Sequence, residues 1–353
     1  MRLFVYEYLC SLDATVHRSH SSLADEGWAM LAAVLADFAQ LPGVRIATLL
    51  GGSASDWAGR LAEQPELAAV VPHYCREAER LARFDELARA AEAVLVIAPE
   101  FDHILLDLCR CVVGLGRTWL GCEPAAIELV MDKARLNEYW LARGVPTPRL
   151  RSVHSTAYST VYSTGPFVAK PRIGAGSQAT FLLPRAPLAH ELQSLAIGAG
   201  WSGELIVQEF VRGTAASVSL LLGPAQTIAL MPGQQLLATN GRFTYQGGQV
   251  PLASPLRERA KRLALAAIGG LAGLRGYVGV DMVLGEAEDG SQDYAIEINP
   301  RLTTSYVGLR RLCQANLAEC WWRLCAGESV AEPLWRPGAI RFKPNGAWTA
   351  VDL

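Results

Sequence analysis

The sequence predicts an α/β protein in which a doubly wound parallel sheet is followed by a region richer in strands. Strand-like apolar runs alternate with helical segments in the first third of the chain, which is typical of a parallel sheet covered by helices. After "GVPTPR" (144–149) the strand-like runs become more frequent. A chain of 353 residues is too long for one ordinary core and indicates two or three packed units.

The N-terminal unit is predicted from three strands and the helices between them. The segment "AVLVIAP" is unbroken in its apolar character, which suits a strand covered on both faces. Ligands of such sheets bind beyond the carboxyl ends of the strands, so "YEYLCSLD" (6–13) is a candidate substrate loop, with a plain connection as the equal alternative. The predicted elements are strands at 3–8, 43–50 and 93–99 and helices at 22–40, 76–91 and 101–115.

The second part of the chain begins with a helix over 132–143, which the prolines and glycine of 144–149 bring to an end. A long helix is predicted over 255–273 and a last one over 306–326, and glycines near the end of the long helix weaken it there. The strand-like runs of this part are "GPFVAKP", "ATFLLP", "ELIVQEFV", "AASVSLLL", "QTIALMP", "GYVGVDMVL" and "DYAIEIN".

The composition and the length of the apolar runs indicate a soluble, cytoplasmic protein. Lysine and arginine number 32 against 34 aspartates and glutamates, so neither nucleic acid nor a membrane surface is expected as a partner. The longest apolar candidate, 263–274, has about twelve of the ~20 residues needed to cross a bilayer. The opening run is broken by Glu7 and does not resemble a secretory signal. Eight cysteines without a CxxC pair indicate reduced thiols.

A metal site is predicted from "AIEINPRL" (295–302), where strand alternation places Glu297 and Asn299 on one face. Asp281 lies in the preceding strand, and the turn "GEAEDGSQ" between the strands has the composition of a hairpin. Pairing these strands would bring three oxygen ligands together, which suits Mg²⁺. The alternative is that Glu297 only pairs with Arg301 at a sheet edge.

A phosphate site is predicted at "VAKPRIGAGSQAT" (168–180). Lys170 ends a strand there, and Gly174, Gly176 and Ser177 follow it, so backbone N–H groups and a point charge could converge on an anion. The spacing does not match a P-loop, and an ordinary glycine-rich turn is the alternative. The strand "IVQEFVRG" (206–213) could lay its backbone along an adenine edge, or be a plain strand.

The order of these parts resembles the ATP-grasp superfamily over nearly the whole chain: Lys133, Lys170 with its glycines, "QEFV", Asp281, then "EINPR". The resemblance implies a pre-ATP-grasp α/β domain over 1–130 and two α+β lobes that clasp ATP. The smaller lobe, with a glycine-rich lid at 172–178, would span 131–212. The C-terminal lobe with the metal site would span 213–353.

The same resemblance assigns roles to individual residues. Lys170 and Arg301 would be catalytic, and Arg301 would face the reacting carboxylate or acyl phosphate. ATP would be the co-substrate, and Mg²⁺, with Mn²⁺ as an alternative ion, would be held by Asp281, Glu297 and Asn299. The nucleotide would be bound by Lys133, Lys170, Gly174, Gly176, Ser177, Gln208, Glu209, Phe210 and Val211.

Two positions depart from the pattern of the superfamily. Many members carry an acid shortly after the adenine-binding strand to hold the ribose, where this chain has Ala215 and Ala216. Some peptide-forming members place an arginine two residues before the metal aspartate, where this chain has Gly279. The ribose contacts are therefore unassigned, and Arg301 with another basic residue would have to cover the oxyanion.

Within the superfamily, five stretches are similar to the tyramine–glutamate ligase family of methylofuran synthesis. That similarity implies an amide bond between the γ-carboxyl of glutamate and the amine of tyramine. The alternatives are a ligase for another acid and amine or amino acid, and a nucleotide-binding module without catalysis; a homodimer is also left open. The stretches are "VYEY" (5–8), "EGWAMLAAVLADFAQLPGV" (26–44), "VIAPEFD" (96–102), "DKARLNEYWLARGVPTPR" (132–149) and "GRFTYQGGQVPL" (241–252).

The amine pocket is predicted beside the loop that follows the first strand. Tyramine has a cationic amine and an apolar ring, so its site should combine a carboxylate with aromatic or apolar walls. Tyr6, Glu7 and Tyr8 offer both, provided that they face the "EINPR" strand across the crevice. The alternative is that Glu7 caps a neighbouring helix or pairs with an arginine.

Overall fold

The computed structural model describes residues 1–13, 21–151 and 164–352. Within these residues the strands form three sheets, and the predicted mixture of α/β and α+β structure is confirmed. The described residues include no helix long and apolar enough to span a bilayer. All eight cysteines are free, and most of them are buried.

The first sheet, as far as the structure describes it, has five parallel strands in the order β3-β2-β1-β4-β5. The strand order reverses between β1 and β4, so a ligand crevice is expected beyond the carboxyl ends of these two strands. The strands are β1 (Arg2–Glu7), β2 (Arg45–Gly51), β3 (Val70–Cys75), β4 (Ala93–Ile97) and β5 (Thr118–Trp119).

Helices cover this sheet close to where the sequence predicts them. The segment predicted as one helix over 101–115 begins with a 3₁₀ turn, Phe101–His103, because Asp102 and His103 have φ of 52° and 59° and interrupt the helical path. A 3₁₀ turn, Glu77–Glu79, likewise precedes the third helix. The helices are α1 (Ser21–Phe38), α2 (Ala54–Ala62), α3 (Arg80–Ala90) and α4 (Ile104–Gly114).

The second sheet is small and antiparallel, with the order β6-β9-β7-β8. Its apolar side chains form a core of their own around Phe167, Phe181 and Val207. The strands are β6 (Leu150–Arg151), β7 (Thr164–Pro171), β8 (Phe181–Arg185) and β9 (Leu205–Glu209). Two helices that precede them, α5 (Pro124–Met131) and α6 (Lys133–Ala142), bury their apolar side chains in a core with the large sheet, whereas α7 (Ala189–Gly198) packs on the small sheet.

The third sheet is the largest, with the order β15-β14-β10-β12-β13-β16-β17 and β11 paired to β10. The predicted hairpin is confirmed, because β14 and β15 pair antiparallel around the turn at 285–293. The strands are β10 (Thr214–Leu222), β11 (Thr227–Ala229), β12 (Gly233–Leu237), β13 (Tyr245–Val250), β14 (Gly276–Leu284), β15 (Tyr294–Asn299), β16 (Ala339–Phe342) and β17 (Trp348–Val351).

Two predicted helices differ from the structure. The long helix, α8 (Ser254–Ile268), ends before Gly269 and Gly270, and the φ of +73° at Gly270 turns the chain away. The last predicted helix is two helices, α9 (Ser305–Leu312) and α10 (Leu317–Cys325). They separate because the Asn316 side chain accepts hydrogen bonds from the backbone N–H groups of Ala318 and Glu319, which starts a new helix.

The parallel sheet and the large sheet share their hydrophobic cores. One core joins Val5 and Leu31 to Tyr306 and Trp321, and a second joins Phe4 to Val280.

A buried polar network reinforces this junction. Asp37 at the end of α1 accepts hydrogen bonds from the Tyr306 hydroxyl (2.6 Å) and the Arg310 guanidinium, while Asn316 donates to the Asp37 carbonyl (2.8 Å). The N-terminal unit is therefore joined firmly to the C-terminal lobe.

Candidate active site

A cavity of about 920 Å³ lies between the small sheet, the large sheet and the start of α1. Most of the sequence-predicted site residues line it, although they come from distant parts of the chain. Those on its wall are Lys170, Gly176, Ser177, Gln208, Glu209, Phe210, Val211, Asp281, Glu297, Asn299 and Arg301.

The predicted metal ligands meet on β14 and β15, where Asp281 and Glu297 are directly paired in the register. The Asn299 amide donates through Nδ2 to Asp281 Oδ2 (3.0 Å), so its oxygen is the atom that can face a cation. Gln235 on β12 donates to the other oxygen of Asp281 (2.9 Å). These contacts hold two carboxylates and an amide on one face, as strand alternation predicts.

The charges of this group fit a divalent cation. Burial, together with the neighbouring charge of Glu297, raises the pKa of Asp281. Burial alone would raise the pKa of Glu297, but the ammonium groups of Lys133 and Lys170 hold it below its usual value. A cation between the two carboxylates would relieve their repulsion, and oxygen ligands of this kind suit Mg²⁺.

Two lysines flank the carboxylates. Lys170 at the end of β7 is 8% exposed, and burial, opposed by Glu297 and assisted by Lys133, lowers its pKa to about 8. Lys133 begins α6, and its Nζ lies 3.3 Å from Glu297 Oε2 and donates to the Gly174 carbonyl (2.9 Å). Lys133 therefore connects the glycine-rich segment with the metal ligands.

The glycine-rich segment follows β7 as irregular backbone. Gly176 has φ of +65°, a conformation that disfavours side chains, and a Cβ there would meet Leu23 of α1 at 3.1 Å. The Ser177 hydroxyl donates to the Phe243 carbonyl (2.5 Å). The segment thus spans from the small sheet to the large sheet and α1.

The end of β9 forms the opposite wall. Gln208 is buried and donates to the Pro148 carbonyl (3.1 Å), while Glu209 is paired with Arg151. The Phe210 N–H donates to the Pro166 carbonyl (3.0 Å), which turns the chain as it leaves the sheet. This wall joins backbone groups to an apolar surface, as a flat heteroaromatic ring requires.

Arg301 is already paired in the structure. Its Nε and Nη2 donate to the two carboxylate oxygens of Glu100, at 2.8 and 3.2 Å, and the two side chains are 13% and 5% exposed. Burial alone would lower the pKa of Arg301, but Glu100 holds it above its usual value. The edge pairing of Glu297 with Arg301, the alternative to a metal site, does not form among the described residues, where Glu297 lies against Lys133 instead.

Glu7 and Tyr8, proposed for the amine pocket, are not among the described residues that line the cavity. The Glu7 carboxylate is 2% exposed and accepts a hydrogen bond from the Cys10 N–H (2.6 Å), which is the capping alternative. A Cβ at Gly27 would lie 2.6 Å from this carboxylate, so α1 packs directly over it. Tyr8 stacks under the guanidinium of Arg80. The structure therefore gives the two residues packing contacts in place of the predicted position at the crevice.

Two carboxylates near the cavity are absent from the sequence-based site. Glu26 on α1 lines the cavity, and Glu100 holds Arg301. A signal for Glu100 exists, because it lies shortly after β4 ends at Ile97, at the edge where ligands of parallel sheets bind. Glu26 lies beyond the first turn of α1, and no sequence pattern separates it from an ordinary acid on the face of a helix.

Comparison with known proteins gives a family for this arrangement. A family model described as an ATP-grasp domain matches residues 130–305, and a second, described as a pre ATP-grasp 3 domain, matches residues 57–127. The two models together cover well over half of the chain, including the metal ligands, both lysines and the glycine-rich segment.

Individual relatives share less than a third of their aligned residues with this chain. A tyramine–L-glutamate ligase of Methanocaldococcus fervens is 28% identical over 225 residues, which is 64% of this chain and 63% of that protein, less than two thirds of its length. A D-alanine–D-alanine ligase of Xylella fastidiosa is 27% identical over 79% of this chain and 97% of its own.

Among solved structures, an ATP-grasp superfamily protein from Archaeoglobus fulgidus superposes with a TM-score of 0.69 at 25% identity. The superposition covers 97% of this chain and 92% of that one. The two family models match, the fold superposes, and the site residues follow in the same order along the chain. The chain therefore belongs to the ATP-grasp superfamily of ligases.

Proposed function

We propose that this protein is an ADP-forming acid–amine ligase that joins the γ-carboxyl of glutamate to the amine of tyramine, giving γ-glutamyltyramine for methylofuran synthesis. One observation carries the proposal: a single cavity brings together the β9 wall, Lys170, the two paired carboxylates with Asn299, and Arg301. The similarity to tyramine–L-glutamate ligase supports this choice of substrates.

The nucleotide end of the cavity follows from the same residues. The backbone after Gln208 and the Phe210 ring suit adenine, and Lys133 and Lys170 suit the phosphates. Mg²⁺, when bound by Asp281, Glu297 and Asn299, supplies neutralising charge for the phosphate oxygens; Mn²⁺ would serve the same ligands.

The reaction then has two steps. A γ-carboxylate oxygen of glutamate attacks the γ-phosphorus of ATP, ADP leaves, and Lys170 stabilises the transferred charge. The unprotonated amine attacks the acyl phosphate carbon, phosphate leaves, and the nitrogen loses a proton. Arg301, held by Glu100 at the cavity wall, stabilises the charge on the acyl oxygen. The segment 172–178 contributes Gly176 and Ser177 to the cavity wall, and as a lid over the phosphates it would exclude water from the acyl phosphate.

We also propose that the partners are small molecules and that a homodimer is an alternative to the monomer. We propose the domain limits 1–130, 131–212 and 213–353. The limits are supported by the sheets, since the described strands of each sheet fall within one of these ranges.

A second candidate is a ligase for another carboxylate and an amino acid. The D-alanine–D-alanine ligase similarity favours it, because that match covers nearly the whole relative. Both candidates share the acyl phosphate and differ only in the substrates at the far end of the cavity.

The test is a screen of amines and amino acids with glutamate and Mg·ATP. ADP release is followed, and the product is identified by mass spectrometry, with Glu297→Gln as the control enzyme. A product with the mass of γ-glutamyltyramine is expected. ADP release with another pair but not with glutamate and tyramine would favour the second candidate. No ADP release with any pair would reject both.

A further inference from the structure

Where α1 borders the cavity, the wall carries a carboxylate that has no ionic partner among the described residues. Glu26 lines the cavity, and its Oε2 accepts a hydrogen bond from the Thr304 hydroxyl at 3.3 Å. No lysine, arginine or histidine of residues 1–13, 21–151 and 164–352 forms an ion pair with it. Burial, only partly opposed by Thr304 and Arg301, raises the pKa of Glu26 to about 7.

The nearest arginine does not neutralise this carboxylate. Arg301 uses Nε and Nη2 on both oxygens of Glu100, which is itself almost completely buried. Counting charges, the Arg301–Glu100 pair is neutral, so Glu26 leaves this end of the cavity with one excess negative charge when ionised. A buried, unpaired carboxylate is costly, and a cation supplied by a ligand would compensate it.

The surroundings of Glu26 suit a cationic group attached to a larger molecule. Tyr245 on β13 lines the same cavity, and burial, followed by the charges of Glu26 and Asp281, raises its pKa well above the usual value. Its hydroxyl therefore stays protonated and neutral. Thr304 and Ser305 supply further hydroxyls on this wall. A primary ammonium has three N–H donors, which suit a carboxylate with hydroxyl oxygens on the same wall.

We propose that Glu26 binds the primary ammonium group of a substrate. This inference rests on the proposed ligase function and extends it. The ammonium has two sources in that reaction, the amine of tyramine before it loses its proton and the α-ammonium of glutamate. Glu7 is a poorer candidate, because its carboxylate is covered by α1 at Gly27 and satisfied by the Cys10 N–H.

The experiment compares each ammonium compound with a neutral or deaminated analogue. Dissociation constants of tyramine, 4-(2-hydroxyethyl)phenol, glutamate and glutarate are measured by titration calorimetry on the wild-type protein and on Glu26→Gln. A charged hydrogen bond of about 1.5–3 kcal/mol corresponds to a loss of roughly 10- to 100-fold. We expect that loss for tyramine or for glutamate, with the paired analogue unchanged.

The control is Asp25→Asn on the same helix, since Asp25 pairs with Arg60 (2.8 Å) and does not line the cavity. It should leave all four dissociation constants unchanged. A loss confined to tyramine assigns the acceptor amine to Glu26, and a loss confined to glutamate assigns the α-ammonium.

Equal losses for a compound and its analogue, no loss at all, or no binding of either ammonium compound to the wild-type protein would overturn the inference. ADP release, measured on the same preparations, tests the ligase function separately. Binding of tyramine or glutamate without ADP release would reject the reaction and leave the ammonium contact to be judged by the titrations.

Discussion

Glu100→Gln should destabilise the protein strongly, although Glu100 comes from the N-terminal unit and not from the strands that hold the metal ligands. The substitution keeps the size of the side chain and removes its charge. Arg301, which is 13% exposed, would then be left buried with half of its bidentate partner. Breaking a buried ion pair on one side costs about 3–5 kcal/mol. Because the glutamine side chain can still accept a hydrogen bond from Arg301, we expect a loss of stability at the lower end of this range, about 3 kcal/mol.

A loss of this size should be visible in thermal unfolding. At roughly 2 °C per kcal/mol for a chain larger than 150 residues, the midpoint should fall by about 6 °C. The matched control is Asp85→Asn, which breaks an exposed pair with Arg89 and should cost no more than about 0.5 kcal/mol.

The reasoning also requires that the two residues act as a pair. Arg301→Gln combined with Glu100→Gln should be less destabilising than the sum of the two single substitutions, since the double variant leaves no unpaired charge. Additive midpoint shifts, or a Glu100→Gln variant as stable as the control, would refute the importance of this pair. In the kinetic assay we expect Glu100→Gln to lower kcat more than it changes the KM for ATP, because Glu100 acts through Arg301.

Three further predictions follow from the other buried charges. Glu297→Gln and Asn299→Ala should each abolish ADP release while circular dichroism stays unchanged; near wild-type turnover at low Mg²⁺ would show that the metal lies elsewhere. Lys170→Ala should raise the KM for ATP and lower kcat, because a phosphate charge acts in both ground and transition states; an unchanged ATP dependence would transfer that role to Lys133. Burial raises the pKa of Glu7 from 4.5 to about 7, so the folded protein binds the proton more tightly and stability should fall, by up to about 3 kcal/mol, as pH rises from 4.5 to 7. Glu7→Gln should remove that part of the pH dependence of the thermal midpoint, and parallel curves for the two proteins would contradict it.

The metal face could be predicted from the sequence because it depends on local rules. Strand alternation alone places Glu297 and Asn299 on one side, and the turn composition pairs their strand with that of Asp281. The break before α10 could also have been predicted, since Asn316 stands at a helix start with a side chain suited to capping.

The contacts that Arg301 and Thr304 make with glutamates could not be predicted from local rules of this kind. Glu100 lies 201 residues from Arg301, and Glu26 lies 278 residues from Thr304. No periodicity of the chain encodes such a pairing, which exists only once the parallel sheet packs against the large sheet. Glu7 is ambiguous for the opposite reason: a carboxylate at the end of a buried strand is compatible with a position at the crevice and with a capping role, and in the structure it accepts a hydrogen bond from the N–H three residues later.

The division of the hydrophobic core has a consequence for which parts of the molecule open locally. The small sheet has an interior of its own around Phe167, whereas the parallel sheet and the large sheet share theirs. Amide exchange in β7 to β9 can therefore proceed through local opening that costs less than global unfolding, while the shared core exchanges as one cooperative unit. A nucleotide could enter or leave by displacement of the small sheet alone. Glu26, Glu100 and Arg301 would keep their mutual distances during such a displacement, so the end of the cavity that they form would stay assembled.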